Sequence, residues 1–145
     1  MKLSTKTRYG TRILIELALH VDEGAIQVSK ISSKQKIPAK YLEQILRTLN
    51  QAGIVKSVRG PKGGHLLAKD PKGIYLGQIV RLFEGQTDLV ECVSSPEKCE
   101  MSADCLVRNA WYDATSVLYE KLDGISIADL IQSNGKNNLA SCPTL

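Results

Sequence analysis

The sequence predicts a mainly α-helical fold with a small β wing, and three observations carry that expectation. Two short helical segments run directly into a glycine-rich basic hairpin, a long amphipathic segment occupies the C-terminal half, and the charge is divided between the halves. Residues 1–72 hold 14 Lys and Arg against 5 Asp and Glu, a net +9, whereas residues 73–145 carry a net −5. A basic half of this kind points to a polyanionic partner, usually nucleic acid. At 145 residues, 43% hydrophobic and 23% charged, the chain has the balance of a globular protein with a real core, not of a disordered one.

The first helix is read over residues 4–19, where Tyr9, Ile13, Leu17 and then Val21 recur four apart and Leu14 widens the stripe. Its apolar stretch, Ile13 to Leu19, is interrupted by Glu16, so no run approaches the length needed to span a bilayer. Basic residues precede that stretch as in a signal peptide, but Glu16 lies inside it and no small-residue cleavage site follows, so the expected location is cytoplasmic. Asp22-Glu23-Gly24 ends the helix. Val28 to Ile37 reads as a short second helix with Ile31 facing inward. Pro38 suits the first turn of a third, which presents Tyr41, Leu42, Ile45, Leu46 and Leu49 on one face and stops at Gly53. Two short helices joined tightly, the second with an exposed polar face, make a helix-turn-helix.

A hairpin follows. Ile54 to Arg59 has β-prone alternation, Gly60-Pro61-Lys62-Gly63-Gly64 is turn chemistry, and His65 to Ala68 returns. A hairpin placed directly after a helix-turn-helix is a wing, and Arg59 and Lys62 at its tip suit close approach to phosphates. A phosphate-binding P-loop is excluded: Lys62 precedes the paired glycines, no Ser or Thr follows it, and no helix opens there.

Leu76 to Phe83 reads as a short amphipathic helix closed by Gly85, and residues 86–102 show no periodicity. A long helix is expected from about Ala103 to Leu122, with Val107, Trp111, Ala114, Leu118 and Leu122 in one stripe and Ala110 and Val117 beside it. That stripe is wider than a small domain needs to cover, which suggests pairing with a second copy in a homodimer. Ser126 is placed to cap a final helix, Ile127 to Gln132.

Cys92, Cys99 and Cys105 fall within 14 residues, and Cys142 stands apart near the C-terminus. In a cytoplasmic protein, clustered thiols point to metal or redox chemistry rather than structural disulfides. Zinc sites favour closely paired cysteines, which this segment lacks; looser spacing on an irregular loop suits an iron–sulfur cluster. Three thiolates leave a fourth position, for which His20, His65, Cys142, Glu97, Glu100, Asp104 or a group of another subunit are candidates. No nucleophile–base pair or acidic pair stands at a catalytic spacing, so no enzyme chemistry is expected.

The residues carrying these features, Arg8-Tyr9, Tyr41-Leu42-Glu43-Gln44, the wing from Val58 to Leu67 and the cysteine triad, resemble the IscR-type iron–sulfur transcriptional regulators over roughly residues 1–132. The resemblance implies a homodimeric winged helix with a long dimerisation helix. It implies an iron–sulfur cluster, [2Fe–2S] in IscR itself, on Cys92, Cys99 and Cys105, with cluster-assembly proteins as donors. It implies DNA contacts from Lys40, Tyr41, Glu43 and Gln44 in the recognition helix and from Arg59 in the wing. Gln44 suits adenine, Glu43 cytosine, and Arg59 a narrow minor groove; for Tyr41 a core-facing role is the alternative. Relatives sense nitric oxide or iron, and some govern cysteine metabolism without a cluster, a group against which the retained cysteine triad argues. Two departures stand out: six residues rather than five separate Cys92 from Cys99, and Arg108 occupies the place of the family's histidine ligand; Arg8 likewise stands where its nitric-oxide sensors use an acidic ligand. Neither fourth ligand carries over.

The expectation is therefore a repressor, in some contexts dual, that binds a double-stranded DNA operator and senses cluster status to control cluster-biogenesis genes. Its parts are a winged-helix domain (1–75), a cluster loop with dimerisation helix (76–132) and a disordered tail (133–145). The rivals are a nitric-oxide or redox-stress sensor of the same fold and, from another class, an iron–sulfur or metal-dependent redox protein.

Overall fold

The computed structural model describes residues 2–85 and 87–134. Helix α1 spans Thr5–Leu19, α2 Val28–Gln35 and α3 Ala39–Gln51; strands β1 (Val55–Val58) and β2 (Gly64–Leu67) form the wing; then come α4 (Leu76–Glu84), a short α5 (Glu91–Ser94), α6 (Arg108–Asp123) and α7 (Ile127–Asn134). The expected tail falls almost wholly outside the described residues.

The core is aliphatic and built from helical stripes. Ile13, Leu14 and Leu17 of α1 meet Ile31 of α2 and Leu42, Ile45, Leu46 and Leu49 of α3. Ile79 of α4 and Ile127 of α7 close the same cluster, so both C-terminal elements pack on α1. Backbone bonds seat α7: Ile127 N–H donates to Ile74 O at 2.8 Å, and Leu76 N–H to Ile125 O at 2.9 Å. Ser126 and Asp129 cap each other's backbone N–H groups, the reciprocal arrangement of a capping box.

The helix-turn-helix closes where Lys36 adopts a left-handed conformation, φ 54°, which ends α2 at Gln35 rather than at Ile37. Pro38 lies just ahead of α3 and its carbonyl accepts from Leu42 N–H at 2.9 Å. Gly53, at φ 68°, turns the chain out of α3 into the hairpin. There Val55 pairs with Leu67 and Val58 with Gly64, antiparallel. Ile26 adds an isolated antiparallel bridge to the wing, exchanging two 2.8 Å backbone bonds with His65. The sequence reading did not foresee it, because a single bridging residue has no periodicity. Gly64 makes it possible: a Cβ there would collide with the carbonyl of Ile26.

The long helix begins at Arg108, not Ala103. Residues 101–107 form turns, and Leu106, 98% exposed, has no neighbour against which a helical turn could pack. Helix α6 meets its own chain through Thr115 and Tyr119, both buried. The N-terminal part of its apolar stripe is left uncovered: Trp111 is 40% exposed and Val117 63%, with Val107, Ala110 and Ala114 also exposed, while Leu118 and Leu122 are half-buried.

Candidate nucleic-acid interface and cysteine loop

Helix α3 turns Leu42, Ile45, Leu46 and Leu49 inward, which by the 3.6-residue period leaves Lys40, Glu43, Gln44 and Arg47 on the outer face; all four are exposed. Tyr41 is half-buried, its ring edge-on to Tyr9 with centroids 6.0 Å apart, and it packs against the core. This packing is the core-facing alternative noted from sequence, and the half-buried ring still leaves part of Tyr41 at the surface of α3. Arg12 lies 5.5 Å over the Tyr9 ring and binds Gln35, tying α1 to the end of α2. Arg59 and Lys62 are exposed at the hairpin tip, and neither forms an ion pair among the described residues.

An open groove of about 490 Å³ separates α3 from the hairpin, lined by Glu43, Arg47, Asn50, Ser57 and His65 among others. Asn50 Nδ2 donates to Ser57 Oγ at 3.3 Å, and His65 Nδ1 lies 3.3 Å from the same hydroxyl. Burial holds the His65 imidazole below its ordinary pKa, against the opposing pull of the Glu43 charge. Arg47 and Asn50 were missing from the sequence reading, although their positions four and seven residues after Glu43 place them on its face.

Behind α3, Glu16 is only 2% exposed. Lys34 Nζ at 2.8 Å and Gln35 Nε2 at 2.8 Å bind its carboxylate, and His20 Nδ1 lies at 3.4 Å. Burial alone would raise its pKa, but these partners outweigh it and hold the carboxyl below the ordinary value. The charge that interrupts the apolar stretch of α1 therefore clamps α1 to α2.

The cysteine segment is a run of short turns between α4 and α6. Cys92 lies on α5, Cys99 just after a single 3-10 turn, and Cys105 ahead of α6; all three are free thiols of intermediate burial. Arg108 Nε donates to the carbonyl of Cys92 at 2.9 Å, which fastens α5 to the first turn of α6. The donor types fit a thiolate-bound cluster, but among the described residues no three His, Cys, Asp or Glu side chains are gathered closely enough to hold a metal ion. His20 is engaged by Glu16 and His65 by Ser57; Cys142 lies outside the described residues. Helix α6 is joined in turn to α4 by a bidentate pair, Arg81 to Asp123 at 2.7 and 2.6 Å. Glu84, at the end of α4, accepts from Ser4 N–H at 2.8 Å and from the Thr7 hydroxyl, at the start of α1.

A helix-turn-helix with an exposed polar recognition face, followed by a basic glycine-built wing, defines the winged-helix class of DNA-binding regulators. The chain belongs to the Rrf2 family: the family model described as "Iron-dependent Transcriptional regulator" matches residues 3–133. It is 38% identical over 132 residues to Protein rrf2 of Nitratidesulfovibrio vulgaris, covering 91% of this chain and 88% of that protein. It is 37% identical over 134 residues to the HTH-type transcriptional regulator IscR of Aliivibrio salmonicida, covering 92% and 79%. Among solved structures, CymR, the global cysteine regulator of B. subtilis, matches with a TM-score of 0.77 at 35% identity, covering 92% and 98% of the two chains. T. potens IscR matches with a TM-score of 0.75 at 31% identity, covering 95% and 93%. The chain is thus a transcriptional regulator of the IscR type and not an enzyme. No helix among the described residues is long and apolar enough to cross a membrane.

Proposed function

We propose that this regulator binds a duplex operator as a homodimer and that its affinity is set by an iron–sulfur cluster, of the [2Fe–2S] type, held by Cys92, Cys99 and Cys105. The genes it governs would be those of cluster biogenesis. The observation that carries this reading is the Arg108–Cys92 bond, because it fastens a loop of three free thiols to a helix whose apolar face is uncovered. The family description "iron-dependent" and the relatives named IscR favour the same cofactor.

In this reading Lys40, Glu43 and Gln44 enter the major groove, where Gln44 pairs with adenine and Glu43 accepts from cytosine, while Arg59 and Lys62 hold the backbone and the minor groove beside it. The uncovered stripe of α6 pairs with its copy and sets the spacing of the two recognition helices, to which half-sites are sensitive. A bound cluster supplies charge and ligation that respond to iron and oxidants. The loop must draw its thiols together to hold one. A shift there reaches Arg108 and α6, passes to α4 through Arg81 and Asp123, and reaches α1 through Glu84 and Ser4. That path is a contiguous set of bonds along which a shift in the loop would be carried if α6 has two arrangements.

Iron and sulfide counts with a Mössbauer spectrum, on protein purified without air, test the proposal, together with Cys→Ala variants. Each of Cys92, Cys99 and Cys105 is required and Cys142 is not; retention of a full cluster without Cys99 sinks the ligand set. A second reading is favoured by the ungathered thiols and by the match to CymR: a regulator of this fold that answers to thiol or cysteine chemistry with no cluster. Absence of iron and sulfide, with operator binding intact, selects it.

A further inference from the structure

A cleft of about 210 Å³ lies between α4 and α6, lined by Arg81, Asp88, Tyr112, Thr115, Ser116 and Tyr119. It contains none of the cysteines and none of the residues assigned to DNA. Tyr112, Thr115, Ser116 and Tyr119 share one flank of α6, and the helical period puts Ala110, Ala114 and Val117 on the opposite side, with Trp111 at the border between the cleft and the uncovered apolar stripe.

One atom of the cleft is orphaned. Asp88 Oδ2 is buried and has no hydrogen-bond partner among the described residues. A buried acceptor, above all a charged one, requires a donor. The neighbouring groups are turned elsewhere. Arg81 gives Nη1 and Nη2 to Asp123, and its guanidinium lies 4.6 Å over the Tyr119 ring. The Tyr119 hydroxyl is bonded to the Thr87 backbone. Thr115 Oγ1 donates to Trp111 O at 2.9 Å and accepts from Leu89 N–H at 3.3 Å, and Ser116 Oγ donates to Tyr112 O at 3.0 Å. None of these groups is bonded to Asp88 in this structure, which leaves its buried oxygen open to a ligand.

The chemistry of that donor is narrowed by the rest of the lining. A divalent metal is disfavoured, because Asp88 is the single acid in the cleft and a guanidinium shares the wall. A protonated amine matches the carboxylate in charge and supplies N–H groups. Arg81 retains N–H capacity beyond its two bonds to Asp123, and the Tyr112 phenol is exposed, so the same lining also offers donors to an oxygen on that molecule. The volume lies below the ~300–1,000 Å³ of drug-sized pockets, which limits the occupant to a few heavy atoms. We propose that the cleft between α4 and α6 is a binding site for a small primary amine that also carries an oxygen acceptor, its ammonium on Asp88 and its oxygen beside Arg81. The occupant would bridge α4, the segment leading into the cysteine loop, and α6. This site stands independently of the cluster and of the operator reading.

Isothermal titration calorimetry of the full chain tests it, with ethanolamine and glycine as probes and acetate and tetramethylammonium as controls that lack the N–H or the cation. At least one of the two amines binds saturably in the millimolar range or tighter, the controls do not, and Asp88→Asn weakens the amine at least tenfold with an unchanged circular dichroism spectrum. If neither amine binds, the cleft holds only water and the proposal is wrong; amine affinity that survives Asp88→Asn also overturns it. Should Asp88→Asn fail to fold, Ser116→Leu, on the exposed flank of α6, plugs the cleft without touching Asp88. It abolishes amine binding if the site is real, and parental affinity in that variant rejects it.

Discussion

The side chain of Arg108 donates from Nε to the main-chain carbonyl of Cys92, 2.9 Å away and 16 residues back in the chain. An imidazole in this place serves relatives of the resembled IscR group as a metal ligand; a guanidinium stays protonated and cannot, but it can grip a carbonyl and offset thiolate charge. Arg108→Ala should free α5, raising the labelling rate of Cys92 by a thiol reagent severalfold in metal-free protein. If a cluster is bound, Arg108→Ala should shorten and Arg108→His should lengthen its half-life in air, followed by visible absorption. Unchanged labelling and half-lives would place Arg108 outside the site.

Operator binding should depend steeply on salt, because Lys and Arg displace counterions from several phosphates. Arg59→Ala should weaken binding by more than about 1 kcal/mol, and Gln44→Ala should relax base choice at one position per half-site by about 1–3 kcal/mol. Fluorescence anisotropy against single-base operator variants separates the two effects. Parental binding by both variants refutes the recognition assignment.

The wing tests backbone packing. Gly64 sits at φ 153° against the carbonyl of Ile26, so Gly64→Ala forces the Ile26–His65 bridge apart. The expected cost is about 1–3 kcal/mol of stability by chemical denaturation, with weaker operator binding as the wing shifts. Gly73→Ala, with open space at its Cβ, is the matched control.

The α6 stripe predicts oligomeric state. Trp111→Glu or Val117→Glu places a charge in an apolar contact between copies and should convert a dimer to a monomer by analytical ultracentrifugation, with loss of cooperative operator binding. A parent that is already monomeric at operator-saturating concentration contradicts the dimer.

Acid should unfold the junctions between helices. Hydrogen bonds from Thr7 and Ser4 hold the Glu84 carboxyl below its ordinary pKa, and those from Arg81 do the same for Asp123; Glu16 is also held low. The folded state therefore binds fewer protons than the unfolded chain. Its carboxylate stabilisation is complete above the ordinary glutamate value of 4.5 and is lost as pH falls through the lower folded values. Glu84→Gln should cost about 1 kcal/mol at pH 7, since the site is partly exposed, and should flatten the acid limb of a Tm-against-pH curve.

The sequence by itself determined the order and kind of the elements of the helix-turn-helix and its wing. Leu42, Ile45, Leu46 and Leu49 recur at helical spacing, Gly53 ends a helix, and Gly60 to Gly64 turns a hairpin; each signal lies within a few residues of the structure it causes. The same reasoning found the uncovered stripe of α6 and the Ser126 cap. It misplaced the start of α6, because an apolar residue in phase, Val107, does not make a helix where no partner rewards the turn. Only the tertiary structure decided that Glu16 is a buried clamp on α2, that Ile26 pairs with His65, that Ile127 and α7 join the core of α1, that the three thiols are not gathered, and that Asp88 faces a cleft without a partner. Each of those joins residues that are not periodic neighbours, or depends on how elements far apart in the chain come to rest. A charge inside an apolar run reads the same in sequence whether it meets water or Lys34, and packing alone distinguishes the two.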